Sequence, residues 1–167
     1  MPQENWSGNY AYRARAQHRP TSIEEAQELV GRAERIHALG SRHTFTGIAD
    51  SQDLISFEQL PIEVEISPDA GAVTVPGAIR YGELAPILDR HGLALANLAS
   101  LPHISVAGAT ATATHGSGTH IGNLSTSVRA LELIRSDGEL VMSARGDRDF
   151  EGMVVGLGAL GAITRVT

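Results

Sequence analysis

The sequence predicts an α+β fold in two lobes, lobe one about 12–60 and lobe two about 61–167, divided near Leu60. Three observations carry that reading. Near the N-terminus an amphipathic helix is followed by strand, polar loop and strand, which is a β-α-β start. Further on, two stretches alternate apolar and polar residues about turn residues, so they read as antiparallel hairpins and not as a continuing β-α-β series. Between the hairpins, 35 residues from Leu93 to Ser127 contain no Asp, Glu, Lys or Arg and are neither helix nor strand throughout.

Ser22 with Glu25 makes a capping-box pattern, and Ile23, Ala26, Val30 and Ala33 then recur at helical spacing, so a helix is expected over about 22–34. "RIHALG" follows as a short strand ending in Gly40, "SRHTFTG" leaves it as a loop, and a second strand lies near "DLISFE". "IEVEI" and "AVTVPG" alternate on either side of "SPDAG", a hairpin signal. "YGELAPILDRHG" is a helix stopped by Gly92, in which Pro86 removes a hydrogen bond and predicts a kink or a late start. "VRALELIRSDGELVMSAR" is two strands about the Asp137-Gly138 turn. A short helix from about Asp147 and a final strand, "AITRVT", complete the order.

Composition narrows the function. With 42% apolar residues the chain can bury a core, and its 18 glycines with only 4% aromatics imply close backbone approaches with little bulk around them. A net charge of −6 without a Lys/Arg cluster argues against nucleic acid or an anionic membrane as partner. "MPQENWSGNY" lacks the layout of a signal peptide, and no stretch has the length of a spanning helix, so a cytoplasmic location is expected. The absence of cysteine excludes disulfides, thiolate metal sites and Cys nucleophiles.

"GLGALG" sets Gly156, Gly158 and Gly161 at the G-x-G-x-x-G spacing of a dinucleotide fingerprint. That fingerprint needs a strand running in and a helix running out. Here a short helix runs in, and β-branched Ile163, Thr164, Val166 and Thr167 run out, so the fold is not of the Rossmann type. An acidic residue about 20 positions on also has no place within the six residues that follow Gly161. The glycines read instead as a tight bend from helix into strand.

The uncharged segment is rich in small residues from Gly108 to Gly118. Small side chains let a ligand reach the backbone, and successive N–H groups in glycine-rich turns make anion-binding concavities, which Ser and Thr hydroxyls supplement. A closely packed turn would have the same composition. "GSRHTF" adds backbone donors and an imidazole at the C-terminal edge of a strand, where ligands sit in α/β units, although a lone His in a loop is commonly only hydrogen-bonded. His103, His115 and His120 have spacings unsuited to one helix face and no carboxylate nearby, so no metal site is expected. Neither "HGSG" nor "GSRH" reproduces a nucleophile elbow.

Taken in order, "NWSGN", "ALGSRHTF", "RYGELAPIL", "NLASLPHISVAGATATATHGSG" and "GLGALGAIT" give a specific match over nearly the whole chain. The sequence resembles the flavin-binding domain of bacterial alditol (xylitol) oxidases, of the vanillyl-alcohol oxidase superfamily. Aldonolactone oxidases look similar in the "GSRHTF" and "THGSG" blocks, and "ASLPHISVAG" favours the alditol group.

The resemblance implies a two-lobed FAD-binding domain of the PCMH type spanning 1–167. It implies that His43 is the histidine bonded covalently to the 8α-methyl carbon of FAD, for which a neutral imidazole is a suitable nucleophile. Gly40, Ser41, Arg42 and Thr44 would hold the pyrophosphate. Ser105, Gly108, Thr112, Ala113, Thr114 and His115 would line FAD from the other lobe, Ile163 would touch it through its backbone, and Ser100 would be the catalytic serine near substrate and flavin. Without Cys, a second attachment through sulfur is excluded. The implied reaction is oxidation of a polyol's terminal alcohol with O₂, giving an aldose and H₂O₂, with the flavin carrying the chemistry. The C-terminal substrate domain, with the Glu, Arg and Lys groups that position the alcohol, is expected outside this chain, which alone would bind FAD weakly and oxidise little polyol. The alternatives are a sugar-lactone oxidase, a non-catalytic flavin module needing a partner chain, and a small α+β protein whose glycine loops are structural.

Overall fold

A computed structural model describes residues 4–167. Met1–Gln3, the opening of the stretch read as lacking a signal peptide, lie outside the described residues. The chain is α+β, built on two sheets. The first is parallel, with β1 (Ala16–His18) and β2 (Ile36–Ala38) flanking β3 (Asp53–Ile55). All three residues of β3 are buried, as a strand covered on both faces requires. The strand β1, which its polar sequence does not announce, completes the β-α-β start.

Helix α1 (Ile23–Arg32) connects β1 to β2. The Ser22 side chain accepts the Glu25 N–H as an N-cap, while the Glu25 carboxylate accepts from the N–H of Thr21, one residue earlier than a standard capping box places it. Ala26 and Val30, one turn apart, are its buried residues.

The second sheet has the order β4-β5-β8-β6-β7 and is antiparallel. Its strands are β4 (Glu65–Ile66), β5 (Val73–Pro76), β6 (Ala130–Ile134), β7 (Leu140–Ala144) and β8 (Ala162–Val166). Both expected hairpins are present, β4 with β5 and β6 with β7, and Gly138 takes the positive φ of 82° that its turn demands. The last strand lies at the centre. Ala162, Thr164 and Val166 are buried, and β8 bonds to β5 on one side and β6 on the other.

Helix α2 (Tyr81–Asp89) passes through Pro86, so the late start expected from that proline does not occur. The proline is tolerated because only the bond to the carbonyl of Gly82 is lost. The helix stops at Gly92, with φ of 69°, while the Leu93 N–H returns to the Leu88 carbonyl. In the uncharged segment the chain forms α3 (Val106–Ala111) and, further on, a 3₁₀ turn at Leu124–Ser127. Helix α4 (Phe150–Val154) precedes the glycine bend and β8.

One apolar cluster joins the two sheets, with Ala26, Val30, Ile55, Phe57 and Leu60 packed with Ile134 and Ala162. Another fills the space between the antiparallel sheet and α2, α3 and α4. Among the described residues, no helix is long and apolar enough to cross a membrane.

Candidate functional site

Beyond Ala38 the chain turns through Gly40–Thr44 into a cavity of about 210 Å³. Gly40, Ser41, Arg42, His43 and Thr44 line it, and so do Ser105, Gly108, Thr112 and Thr114 from the uncharged segment and Ile163 from β8. The two loops are tied together where the Ser105 N–H donates to Ser41 Oγ at 3.1 Å. Ser100, Ala113 and His115 are not on the cavity wall. Ser100 is exposed in the loop before α3, and the exposed His115 ring has its Nδ1 facing the Gly116 carbonyl at 2.9 Å.

Several wall residues carry no signal in the sequence. Tyr12, His37, Gly77 and Ala78 line the cavity without belonging to any motif. Leu157, Gly158 and Gly161 line it too, which makes the glycine bend part of the site even though its fingerprint reading fails. His37 Nε2 faces the Leu157 carbonyl at 3.1 Å, so it links β2 to that bend.

Glycine makes the close approach possible. A Cβ on Gly40 would stand 2.6 Å from Ser105 Oγ, and one on Gly77 would stand 2.9 Å from both the Ile163 carbonyl and the Ala107 Cβ. Arg42 (φ 64°) and Leu157 (φ 52°) adopt left-handed backbone without being glycine, a conformation costing on the order of 1–3 kcal/mol. Both lie on the cavity wall.

The polar groups there are poised for a ligand. Among the described residues, the backbone N–H groups of Gly40 through Thr44 donate to no protein acceptor, which leaves five consecutive donors. His43 Nε2, Thr44 Oγ1, Ser105 Oγ and the Tyr12 hydroxyl are buried and have no hydrogen-bond partner among the described residues. No Asp or Glu lines the cavity, and Arg42 does. An anion is therefore the complement these groups ask for.

The His43 imidazole is half-buried. Burial first, then His103 and the guanidinium groups of Arg80 and Arg42, hold it below the ordinary histidine value, so it is neutral near pH 7. Its Nδ1 lies 3.1 Å from Ser41 Oγ. Trp6 stacks on the ring at 5.0 Å between centroids, and the His103 ring is 4.7 Å away. Among the described residues no three of His, Asp and Glu come together to hold a metal ion.

The family described as FAD binding domain matches residues 14–143. The chain belongs to that FAD-binding family. An alditol oxidase from Streptomyces sp. is 46% identical over 167 residues, which covers 98% of this chain and 40% of that protein. An L-gulono-1,4-lactone dehydrogenase from Mycobacterium tuberculosis is 38% identical over 98% of this chain and 39% of its own length. An L-gulonolactone oxidase from Mus musculus is 32% identical over the same shares. The chain thus spans about 40% of the length of these relatives.

The site's chemistry suits that cofactor. A dinucleotide brings a diphosphate, matched by the free amides of 40–44 and by Arg42, and a flat apolar ring system, matched by Ile48, Ile55, Phe57 and Ile104 on the same cavity. The unpartnered hydroxyls of Thr44 and Ser105 add donors in the wall.

Proposed function

We propose that this domain is the flavin-holding part of an oxidase that acts on the terminal alcohol of alditols with O₂. The observation that carries the reading is the convergence of Gly40–Thr44 with Ser105, Gly108, Thr112 and Thr114 on one cavity, in a chain whose similarity to an alditol oxidase runs along 98% of its length. The domain is the two-lobed PCMH type, with the parallel sheet in lobe one, the antiparallel sheet in lobe two and the cofactor crevice between them.

Bound FAD would accept a hydride from the alcohol carbon and return the electrons to O₂. The chain's own residues bind, orient and tether. The amides of 40–44 and the Arg42 guanidinium hold the diphosphate, and Ser105 and Thr44 donate hydroxyl hydrogen bonds to the cofactor. Gly108, Thr112 and Thr114 present small side chains so that it lies against backbone, and Ile163 meets it along β8. His43 would be the covalent tether: its neutral, desolvated imidazole would supply the lone pair for the bond to the 8α carbon, with loss of one proton from that methyl group and one from the ring N–H, the two electrons passing through the flavin to O₂ to give H₂O₂. Ser100, Ala113 and His115, which are not on the cavity wall, are assigned to flavin or substrate on the sequence resemblance alone. The substrate-positioning groups belong to the part of the relatives' length outside this match, and the protein works in the cytoplasm.

A sugar-lactone oxidase is the second reading, favoured by the lactone dehydrogenase and oxidases among the relatives. It uses the same flavin site with a different substrate. Visible flavin absorbance in the purified chain, before and after acid precipitation, tests the proposal. Colour retained in the pellet, with added mass on the peptide holding His43, supports the tether. Loss of all colour to the supernatant refutes it. Turnover of xylitol against a sugar lactone, in a protein that joins this chain to the part of the alditol oxidase outside the match, separates the two readings.

A further inference from the structure

The stretch "NWSGN" takes no part in the cavity wall, yet it is bonded to the loop that does. Residues Glu4 to Ala11 fold back on themselves in an antiparallel bridge, with Gly8 at φ of 72° in the turn. From this small strap, Asn5 Nδ2 donates to the Thr44 carbonyl at 2.7 Å and Asn9 Nδ2 to the Phe45 carbonyl at 3.1 Å. The Trp6 N–H donates to the Arg42 carbonyl at 2.8 Å, and the Arg42 guanidinium returns to the Glu4 carbonyl at 3.3 Å. Asn5 is only 5% exposed, and its Oδ1 accepts the Tyr10 N–H, so its orientation is determined. The indole of Trp6, 55% exposed, covers the His43 ring with one face.

Three carbonyls of the loop are thereby drawn to the strap, and five consecutive N–H groups of the same loop are left without acceptors among the described residues. Arg42 needs such an anchor, since its left-handed backbone relaxes unless its surroundings hold it. We propose that the strap Asn5–Asn9 is a positioning element of the flavin site. It holds the carbonyls of Arg42, Thr44 and Phe45 so that the amides of 40–44 remain turned to the cofactor's diphosphate, and through Trp6 it fixes the plane of the His43 ring. The cofactor part of this inference rests on the flavin-site reading above.

The test compares the wild-type chain with Asn5→Leu, Trp6→Ala and Trp6→Phe. Trypsin acts at the Arg42–His43 bond, whose carbonyl the strap holds, and cleavage there is expected to rise at least tenfold in Asn5→Leu and Trp6→Ala, while other sites change little. NMR titration of His43 is expected to move upwards towards an ordinary imidazole in Trp6→Ala, and to stay near wild type in Trp6→Phe. Affinity for added FAD is expected to fall about tenfold in Asn5→Leu. Should Asn5→Leu fail to fold, Asn9→Ala, at an exposed position, takes its place. Folded variants with wild-type cleavage at Arg42 and wild-type His43 titration would overturn the proposal, and so would a general loss of melting temperature without those local changes. Cleavage and titration are read without flavin. If the wild-type chain takes up no FAD, the flavin-site reading fails while these two measurements still decide whether the strap holds the loop.

Discussion

The backbone N–H of Ser105 donates to the Oγ of Ser41 at 3.1 Å, and this bond joins two loops that lie 64 positions apart in the chain. Ser41 Oγ also meets His43 Nδ1 at 3.1 Å, so the position of the imidazole depends on a residue of the uncharged segment. The Ser105 hydroxyl itself, buried and unpartnered, stands between Gly40 and Gly108, where a Cβ on either glycine would come within 2.8 Å of it.

Gly40→Ala pushes a methyl group into that hydroxyl, and overpacking of this kind costs about 1–3 kcal/mol. Trimming the opposing side chain removes the clash. Urea denaturation is therefore expected to show Gly40→Ala destabilised and the Gly40→Ala/Ser105→Ala pair restored to within about 0.5 kcal/mol of Ser105→Ala alone. Gly77→Ala has no such rescue, because the Ile163 atom it meets is a backbone carbonyl.

Ser105→Ala by itself separates stability from binding. It deletes a buried hydroxyl that has no partner, so the flavin-free protein is expected to keep its stability or gain up to about 1 kcal/mol. If that hydroxyl serves the cofactor, affinity for FAD falls about tenfold in the same variant. Unchanged affinity in a fluorescence titration would remove Ser105 from the site.

His43 makes folding sensitive to acid. Its imidazole is held below the ordinary value of about 6.5, so as pH falls through that value the unfolded chain takes up a proton that the native state refuses. The native state loses stability from there down to the folded value, and below it the loss levels off. Thermal melts between about pH 7.5 and 5 are expected to fall more steeply for wild type than for His43→Asn, which has no proton to bind at this position. Parallel slopes for the two proteins would contradict the depressed value.

Ile134 is fully buried at the end of β6, in the cluster shared by α1, β3 and β8. Ile134→Ala opens a cavity beneath both sheets and is expected to cost about 2–5 kcal/mol. The same truncation at exposed Met142 on β7 is expected to change stability by less than about 0.5 kcal/mol. Chemical denaturation of the two variants checks the contrast.

Helix α1, both hairpins, the stop at Gly92 and the final strand were legible in the sequence, because each is written in local chemistry: a serine cap, alternation about turn residues, a glycine at positive φ, a β-branched run. The loop Gly40–Thr44 and the small residues of 105–114 could be singled out in the same way, since backbone donors and an absence of bulk show in composition. Tertiary structure alone decided the rest. It placed β8 at the centre of the antiparallel sheet and β3 between two strands that precede it, since strand order depends on which buried faces find each other and not on sequence neighbours. It also brought His37, Gly77 and the bend at Gly158 to the cavity and laid Trp6 on His43, contacts between residues far apart in the chain that no local pattern encodes.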